Sequence, residues 1–274
     1  MDGGQSPQDG LAVAAIDLDE FDYMMRVRGW FHFPRVINQP FLDEIRQALE
    51  AQYEKRRAKQ IANGVGDGMQ GTAHHIVGDG TAIDRFVAAH PLAAYLDRYF
   101  NHGKYVLNSV GAVLNTKDSD KYVGAVHRDV RGYTGPHRMM LNMMVLLDDF
   151  TPENGATHIL PGSQWLQEKP SDEVFFKYAE QVQGKAGDVI IFDSHMWHAA
   201  GANTTDQVRR LITIGFARPY IKPQIDFPRF LPTAFAAQMS DVEKQLYGYH
   251  ARVAEDLDEY YQPAEYRTYR SDQR

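Results

Sequence analysis

A histidine and an aspartate one residue apart, His127 and Asp129, stand in the run GAVHRDVRG at 124–132. The stretch before them, Tyr122 to Arg128, has strand character, and residues i and i+2 of a strand face the same side. That spacing sets an imidazole and a carboxylate side by side on rigid backbone. One borderline nitrogen donor and one hard oxygen donor suit Fe(II), Mn(II) or Zn(II). Alone, His-x-Asp is a weak signal, since such a pair at a strand edge is more often a surface hydrogen-bonding pair. A second stretch, GDVIIFDSHMWHAAGAN at 187–203, turns at Gly187-Asp188 into the apolar run Val189 to Phe192 and then carries His195 and His198. A histidine from this later region would complete two imidazoles and one carboxylate. Such a triad leaves open positions for a bidentate co-substrate and O₂. His198 taken alone fits a core histidine beside Trp197 equally well, and spacing by itself does not exclude His195 as the ligand. Arg209 follows His198 by eleven residues. Its guanidinium fork matches both oxygens of a carboxylate. Arg210 has the opposite strand parity and is expected to face solvent or a neighbouring element.

These residues need a β scaffold, and the middle of the chain supplies one. Between Lys104 and Arg218, short β-like runs alternate with turn signals. Strands are expected over Tyr105–Leu114, Tyr122–Arg128, Met139–Leu147, Thr157–Pro161, Asp188–Phe192 and Arg209–Ala217. The separators carry turn chemistry: Asp118-Ser119-Asp120, Asn154-Gly155, Pro161-Gly162 and Ala186-Gly187-Asp188. A helix is expected between strands at Ser171–Val182.

The N-terminal third reads as mainly helical. Asp17–Arg28 predicts a short helix stopped by Gly29, and WFHFPRV at 30–36 alternates like a short strand. Asn38 is placed to cap a helix with Pro40 in its first turn. Phe41, Ile45, Leu49 and Tyr53 then recur at i+4 and give it an apolar stripe. A further helix is expected from Ala82 to Phe100. After Pro219 loop and helix mix, and Ser240 with Glu243 matches a capping box. One domain, 1–274, follows: disorder over 1–15, a helical part at 16–103, the β core at 104–220, and a C-terminal lid or tail from 221.

Composition sets limits. The 274 residues are 43% hydrophobic and carry a net charge of −7, which argues against a general nucleic-acid binder. No cysteine is present, so disulfides, thiolate metal sites and cysteine nucleophiles are excluded. No apolar run nears the roughly 18 residues that suggest a membrane span. The start, MDGGQSPQDG, lacks the basic and apolar regions of a secretory signal. A cytoplasmic location is expected, and oligomeric state is not readable.

The conjunction of HRD at 127–129, NGATHILPGSQW at 154–165, GDVIIFDSHMWHAAGAN at 187–203 and Arg209 resembles the phytanoyl-CoA dioxygenase superfamily of Fe(II)/2-oxoglutarate oxygenases. The likeness is strong from Lys104 to Tyr220 and looser over the whole chain. It implies a mainly β fold with added helices: a double-stranded β-helix, the cupin-like jelly roll. It also implies Fe(II) on His127, Asp129 and His198, with 2-oxoglutarate and O₂ as co-substrates and Arg209 on the distal carboxylate. Its WHxxGxN context favours His198 over His195. Asn108 resembles the family's amide at the co-substrate, and Asn142, polar within the strand MMLNMMVLL, needs a partner, for which the co-substrate is one candidate; for both residues a local structural hydrogen bond is the other reading. Related halogenases carry a small residue where Asp129 stands, so hydroxylation or a related oxidation of a small molecule is expected here. Substrate positions are less marked. Arg131 shares strand parity with His127 and Asp129, His74 and His75 could cover the mouth, and Lys222 and Tyr247 could line a lid. Two other readings remain at this level: a β-fold binding protein without catalysis, and a cupin-type metalloenzyme that needs no 2-oxoglutarate.

Overall fold

A computed structural model describes residues 10–117 and 124–267. All strand pairings are antiparallel. A six-stranded sheet has the order β1 (Trp30–Phe33), β7 (Val189–Asp193), β4 (Met140–Leu146), β9 (Arg209–Ala217), β3 (Val106–Asn115), β2 (Thr72–His74). A small sheet has the order β6 (Glu180–Gln181), β5 (His158–Ile159), β8 (His198–Ala199). A single bridge between His127 and His198 adds one more rung beside β8. The chain thus forms the mainly antiparallel, helix-buttressed jelly roll that the sequence leads one to expect.

Strand parity divides the core in two. Leu141, Met143 and Val145 of β4 and Ile212 and Ile214 of β9 belong to a buried cluster with Phe21, Met25, Leu42, Ile45 and Phe86 from the helices. Met144, Leu146, Ile190, Phe192 and Leu211 point the other way and pack with Ile159, Ala156 and Val182 of the small-sheet side. The second face is where the cavity opens. The register of β4 on β9 sets Asn142 opposite Gly215, Met144 opposite Thr213, and Leu146 opposite Leu211. A Cβ at Gly215 would come within 2.9 Å of Ser109 Oγ and 3.1 Å of Asn142 Oδ1, so the absent side chain leaves room for that amide.

The helices form where their caps and stripes direct. α1 (Leu18–Val27) starts on Asp17, whose carboxylate accepts the amides of Asp19 and Glu20. α2 (Gln39–Ala62) starts on Asn38, whose side chain accepts the Phe41 amide, and buries Phe41, Leu42, Ile45 and Leu49. The long helix expected over Ala82–Phe100 is two: α3 (Ala82–Ala89) and α4 (Ala93–Tyr99). His90 ends the first in the left-handed region (φ 44°), just before Pro91, whose ring disfavours helical backbone in the preceding residue. The helix expected over Ser171–Val182 stops at Tyr178 as α5 (Asp172–Tyr178), because Glu180 and Gln181 pair with β5.

Two further differences concern the chain's division. β1 and β2 come from the expected helical part and form the two outer strands of the six-stranded sheet, on β7 and β3, so that sheet extends beyond residues 104–220. The expected disorder does not run to residue 15: Leu11 bridges Ile37, the Ala12 amide donates to Val36 O, and the Ile16 amide donates to Tyr95 Oη. Residues 1–9 lie outside the described residues. Beyond β9, Phe227, Leu231, Met239, Leu246 and Tyr247 join the helix-side core. The capping box at Ser240 and Glu243 opens α6 (Asp241–Leu246). Among the described residues no helix is long and apolar enough to cross a membrane.

Candidate metal centre and cavity

The expected strand over Tyr122–Arg128 is not continuous. Its residues 122–123 lie outside the described residues, and His127 makes one bridge while Asp129 sits in a bend. Backbone anchors do the strand's work. The His127 amide donates to His198 O and the His198 amide donates to His127 O, at 3.0 and 2.9 Å. The amides of Asp129 and Val130 both donate to Ser194 O. Ser194 in the loop between β7 and β8, together with His198 at the start of β8, therefore fixes the backbone that carries the other two groups.

Donor atoms of His127, Asp129 and His198 lie within 4.8 Å of one another. His127 Nε2 is 3.8 Å from Asp129 Oδ1, and His198 Nε2 is 3.7 Å from Asp129 Oδ2. Each imidazole has its Nδ1 on a backbone carbonyl: Ala125 O at 2.7 Å for His127, Met196 O at 3.0 Å for His198. A carbonyl only accepts, so Nδ1 of each ring carries a proton and Nε2 is the ring atom on the side of the carboxylate. Burial lowers the His127 pKa, and the neighbouring His198 lowers it further, against the pull of Asp129. A neutral imidazole is the form that binds a metal. Asn142 donates its amide to Asp129 Oδ2. That carboxylate is thereby oriented from β4, in the manner of an outer-shell partner.

A cavity of about 930 Å³ opens at this triad. Arg209, Leu211 and Thr213 line it from β9, on one strand face as their parity requires. Arg209 is 1% exposed, and its Nε, Nη1 and Nη2 have no hydrogen-bond partner among the described residues. Its guanidinium lies 4.3 Å from the centroid of the Phe150 ring. Burial lowers its pKa to about 10, opposed by Asp148, so it is charged at neutral pH. A buried cation with five unmatched donors is strongly disfavoured unless an anion meets it. The donor set and this orphan guanidinium fit a divalent metal and a dicarboxylate that bridges toward Arg209. Arg210 faces away, paired through two nitrogens with Asp148.

Of the other positions singled out in the sequence, Asn108, Arg131, His74 and Lys222 line the cavity. Asn108 sits at a register shift of β3 on β9, which brings both it and Ser109 to the cavity wall. Asn142 lines the cavity as well as holding Asp129, so its amide has a protein partner, not only a possible co-substrate. His75 does not line the cavity. It packs edge-on to Phe227 and Phe230, and burial lowers its pKa to about 4. Tyr247 is no lid residue, since it is 1% exposed in the core against Phe227. His195 is held away from the triad by Asp193 Oδ1 at 3.0 Å and Thr134 Oγ1 at 2.9 Å. Sequence reasoning passed over Phe150, the platform under Arg209, and Thr134, Asp193 and Tyr99, which brace the loop before His198. No local pattern marks them, because each acts through a contact made by folding.

The fold and site define a jelly-roll protein in which a His/Asp/His group able to hold a metal ion shares one cavity with a buried, unpartnered arginine. The chain belongs to the phytanoyl-CoA dioxygenase (PhyH) family, whose sequence profile matches residues 25–211. It is 39% identical over 154 residues to the uncharacterized protein Rv1501 of Mycobacterium tuberculosis, covering 56% of each chain. It is 28% identical over 177 residues to the dioxygenase andF of Emericella variicolor, covering 60% of this chain and 59% of that one. The chain thus spans just over half the length of these curated relatives. Among solved structures it is similar in fold to SnoK, described as a non-heme alpha ketoglutarate dependent carbocyclase from nogalamycin biosynthesis. The TM-score is 0.59 at 20% identity, covering 84% of this chain and 94% of that one.

Proposed function

We propose that this chain is a single-domain Fe(II)- and 2-oxoglutarate-dependent oxygenase of a small molecule, acting by hydroxylation or a related C–H oxidation. The observation that carries the reading is the orphan Arg209 guanidinium in the cavity that begins at His127, Asp129 and His198. Family membership and the fold likeness support it. Bound there, Fe(II) and 2-oxoglutarate would couple O₂ reduction to decarboxylation of the keto acid, yielding succinate and CO₂ with an oxidised substrate.

The chain's own residues position and exclude. His127 and His198 would give Nε2 to the metal, each ring locked by its carbonyl contact, and Asp129 would give a carboxylate oriented by Asn142. Arg209 would take the distal carboxylate of 2-oxoglutarate through its fork, exchanging an unmatched cation for a bidentate pair. Phe192, Met144 and Leu211 line this region with apolar surface. Asp129 fills the ligand position that a halide would need, which favours hydroxylation over halogenation.

The test is an anaerobic Fe(II) titration of the protein with and without 2-oxoglutarate, read by visible absorbance, beside His198→Ala. A charge-transfer band requiring both components and lost in the variant is expected. Folded protein that yields no band removes the reading.

A further inference from the structure

Arg209, Asp129 and the two imidazoles account for only part of the charge around the cavity. A divalent metal, one carboxylate, a dicarboxylate and one guanidinium together sum to neutrality. Two more cations line the same cavity: Arg131 and Lys222. Asp129 is its only acidic lining residue among those described. Neither Arg131 nor Lys222 has an ion pair with any described acid, although the chain as a whole is net negative.

Both cations stand on tethered backbone. Arg131 directly follows Val130, whose amide donates to Ser194 O at 3.2 Å. Lys222 has its carbonyl on Asn108 Nδ2 at 3.4 Å, and the Gln224 amide donates to Asn108 O at 3.0 Å. Arg131 and Lys222 are exposed residues, whereas Arg209, which lines the same cavity, is buried. Desolvated oxyanions take Arg and Lys donors through charge-assisted bonds, and clefts lined by one sign concentrate ligands of the other.

We infer that the substrate carries an oxyanion, a carboxylate or a phosphate monoester, which Arg131 and Lys222 hold at the mouth while the carbon to be oxidised faces the triad. This inference rests on the iron and 2-oxoglutarate reading, since it assigns Arg209 to the co-substrate and so leaves these two for the substrate.

The experiment is anaerobic calorimetry on protein saturated with Fe(II) and 2-oxoglutarate, using hexanoate, hexyl phosphate and hexanamide as probes. At least one anion is expected to bind about tenfold or more tightly than the amide, with the advantage shrinking as salt rises. A preference for hexanoate indicates an organic acid, and one for hexyl phosphate a phosphomonoester. Arg131→Gln and Lys222→Gln should each weaken the preferred anion about fivefold or more. Lys59→Gln, the same charge change on the exposed face of α2, should not. Equal binding of anion and amide, binding of none of the probes, or a preference that survives Arg131→Gln with Lys222→Gln overturns the inference. The same samples report the charge-transfer band, so loss of the oxygenase reading is seen separately from loss of anion preference.

Discussion

Asn142 on β4 donates its side-chain amide to Oδ2 of Asp129, so a strand in the middle of the large sheet holds the carboxylate of the candidate metal-binding group. The contact exists because Gly215 lies opposite Asn142 and has no side chain to fill the space. Outer-shell contacts of this kind commonly carry about 10–100-fold in metal affinity. Asn142→Leu, of similar size, is expected to weaken Fe(II) binding within that range while the protein stays folded. Anaerobic calorimetry with Fe(II) checks it, and unchanged affinity would show that Asp129 needs no such brace.

Arg209 gives opposite expectations for stability and for binding. Its cation is buried and unmatched among the described residues, so Arg209→Met removes an unfavourable charge and should leave the melting temperature of ligand-free protein unchanged or raised. The same change should reduce 2-oxoglutarate affinity by about a hundredfold or more, because it deletes a fully desolvated charge partner. A lower melting temperature with unaltered 2-oxoglutarate binding would mean that Arg209 is a structural residue.

The guanidinium pKa of about 10 adds a pH dependence. Arg209 is charged below that value and neutral above it. Affinity for 2-oxoglutarate should therefore hold on the alkaline side of neutrality and fall as pH rises through about 10. A binding curve flat to higher pH would show that the guanidinium stays protonated through that range.

His195 and His198 are distinguishable by experiment. His195 spans Asp193 and Thr134, with Tyr99 donating to the other oxygen of Asp193 at 2.8 Å. His195→Leu strands a buried carboxylate and a hydroxyl, and should cost about 1–3 kcal/mol of stability in urea unfolding. His198→Ala should abolish metal binding instead. Metal loss in His195→Leu as complete as in His198→Ala would make His195 a ligand.

Acid stability should follow two histidines remote from the triad. Burial pushes His75 and His90 down to about 4, from the ordinary 6.5. Folded pKa values below the unfolded ones mean that the unfolded chain binds more protons between pH 4 and 6.5. Stability therefore rises with pH across that window and is lost as pH falls through it. His90→Asn keeps a side chain that tolerates the left-handed cap and removes one titrating group. Its urea-unfolding free energy should change less steeply from pH 6.5 to 4 than that of the parent, and an identical slope would exclude His90 as a contributor.

What the sequence determined by itself was local chemistry and periodicity. Most strand runs in the middle of the chain, the caps at Asn38 and Ser240, and the opposite parity of Arg209 and Arg210 depend on near neighbours, and the structure agrees with these, the run over Tyr122–Arg128 apart. The residue types at 127, 129, 198 and 209, with the motifs around them, named a family that the sequence profile confirms. Only the tertiary structure decided how those residues meet. The His-x-Asp pair is held by a bridge to His198 and by Ser194 O, partners more than sixty residues away, so no reading of 124–132 could replace its expected strand with a bend. Ala82–Phe100 looked like one helix because its composition is helical, and the break at His90-Pro91 was readable from proline chemistry alone. By contrast, His75 leaving the cavity for Phe227 and Phe230, Tyr247 entering the core, and Phe150 lying under Arg209 all follow from packing between distant segments. Burial and register are properties of the assembled sheet and helices, and a linear pattern fixes them only where one strand face or one helix stripe already says which side is in.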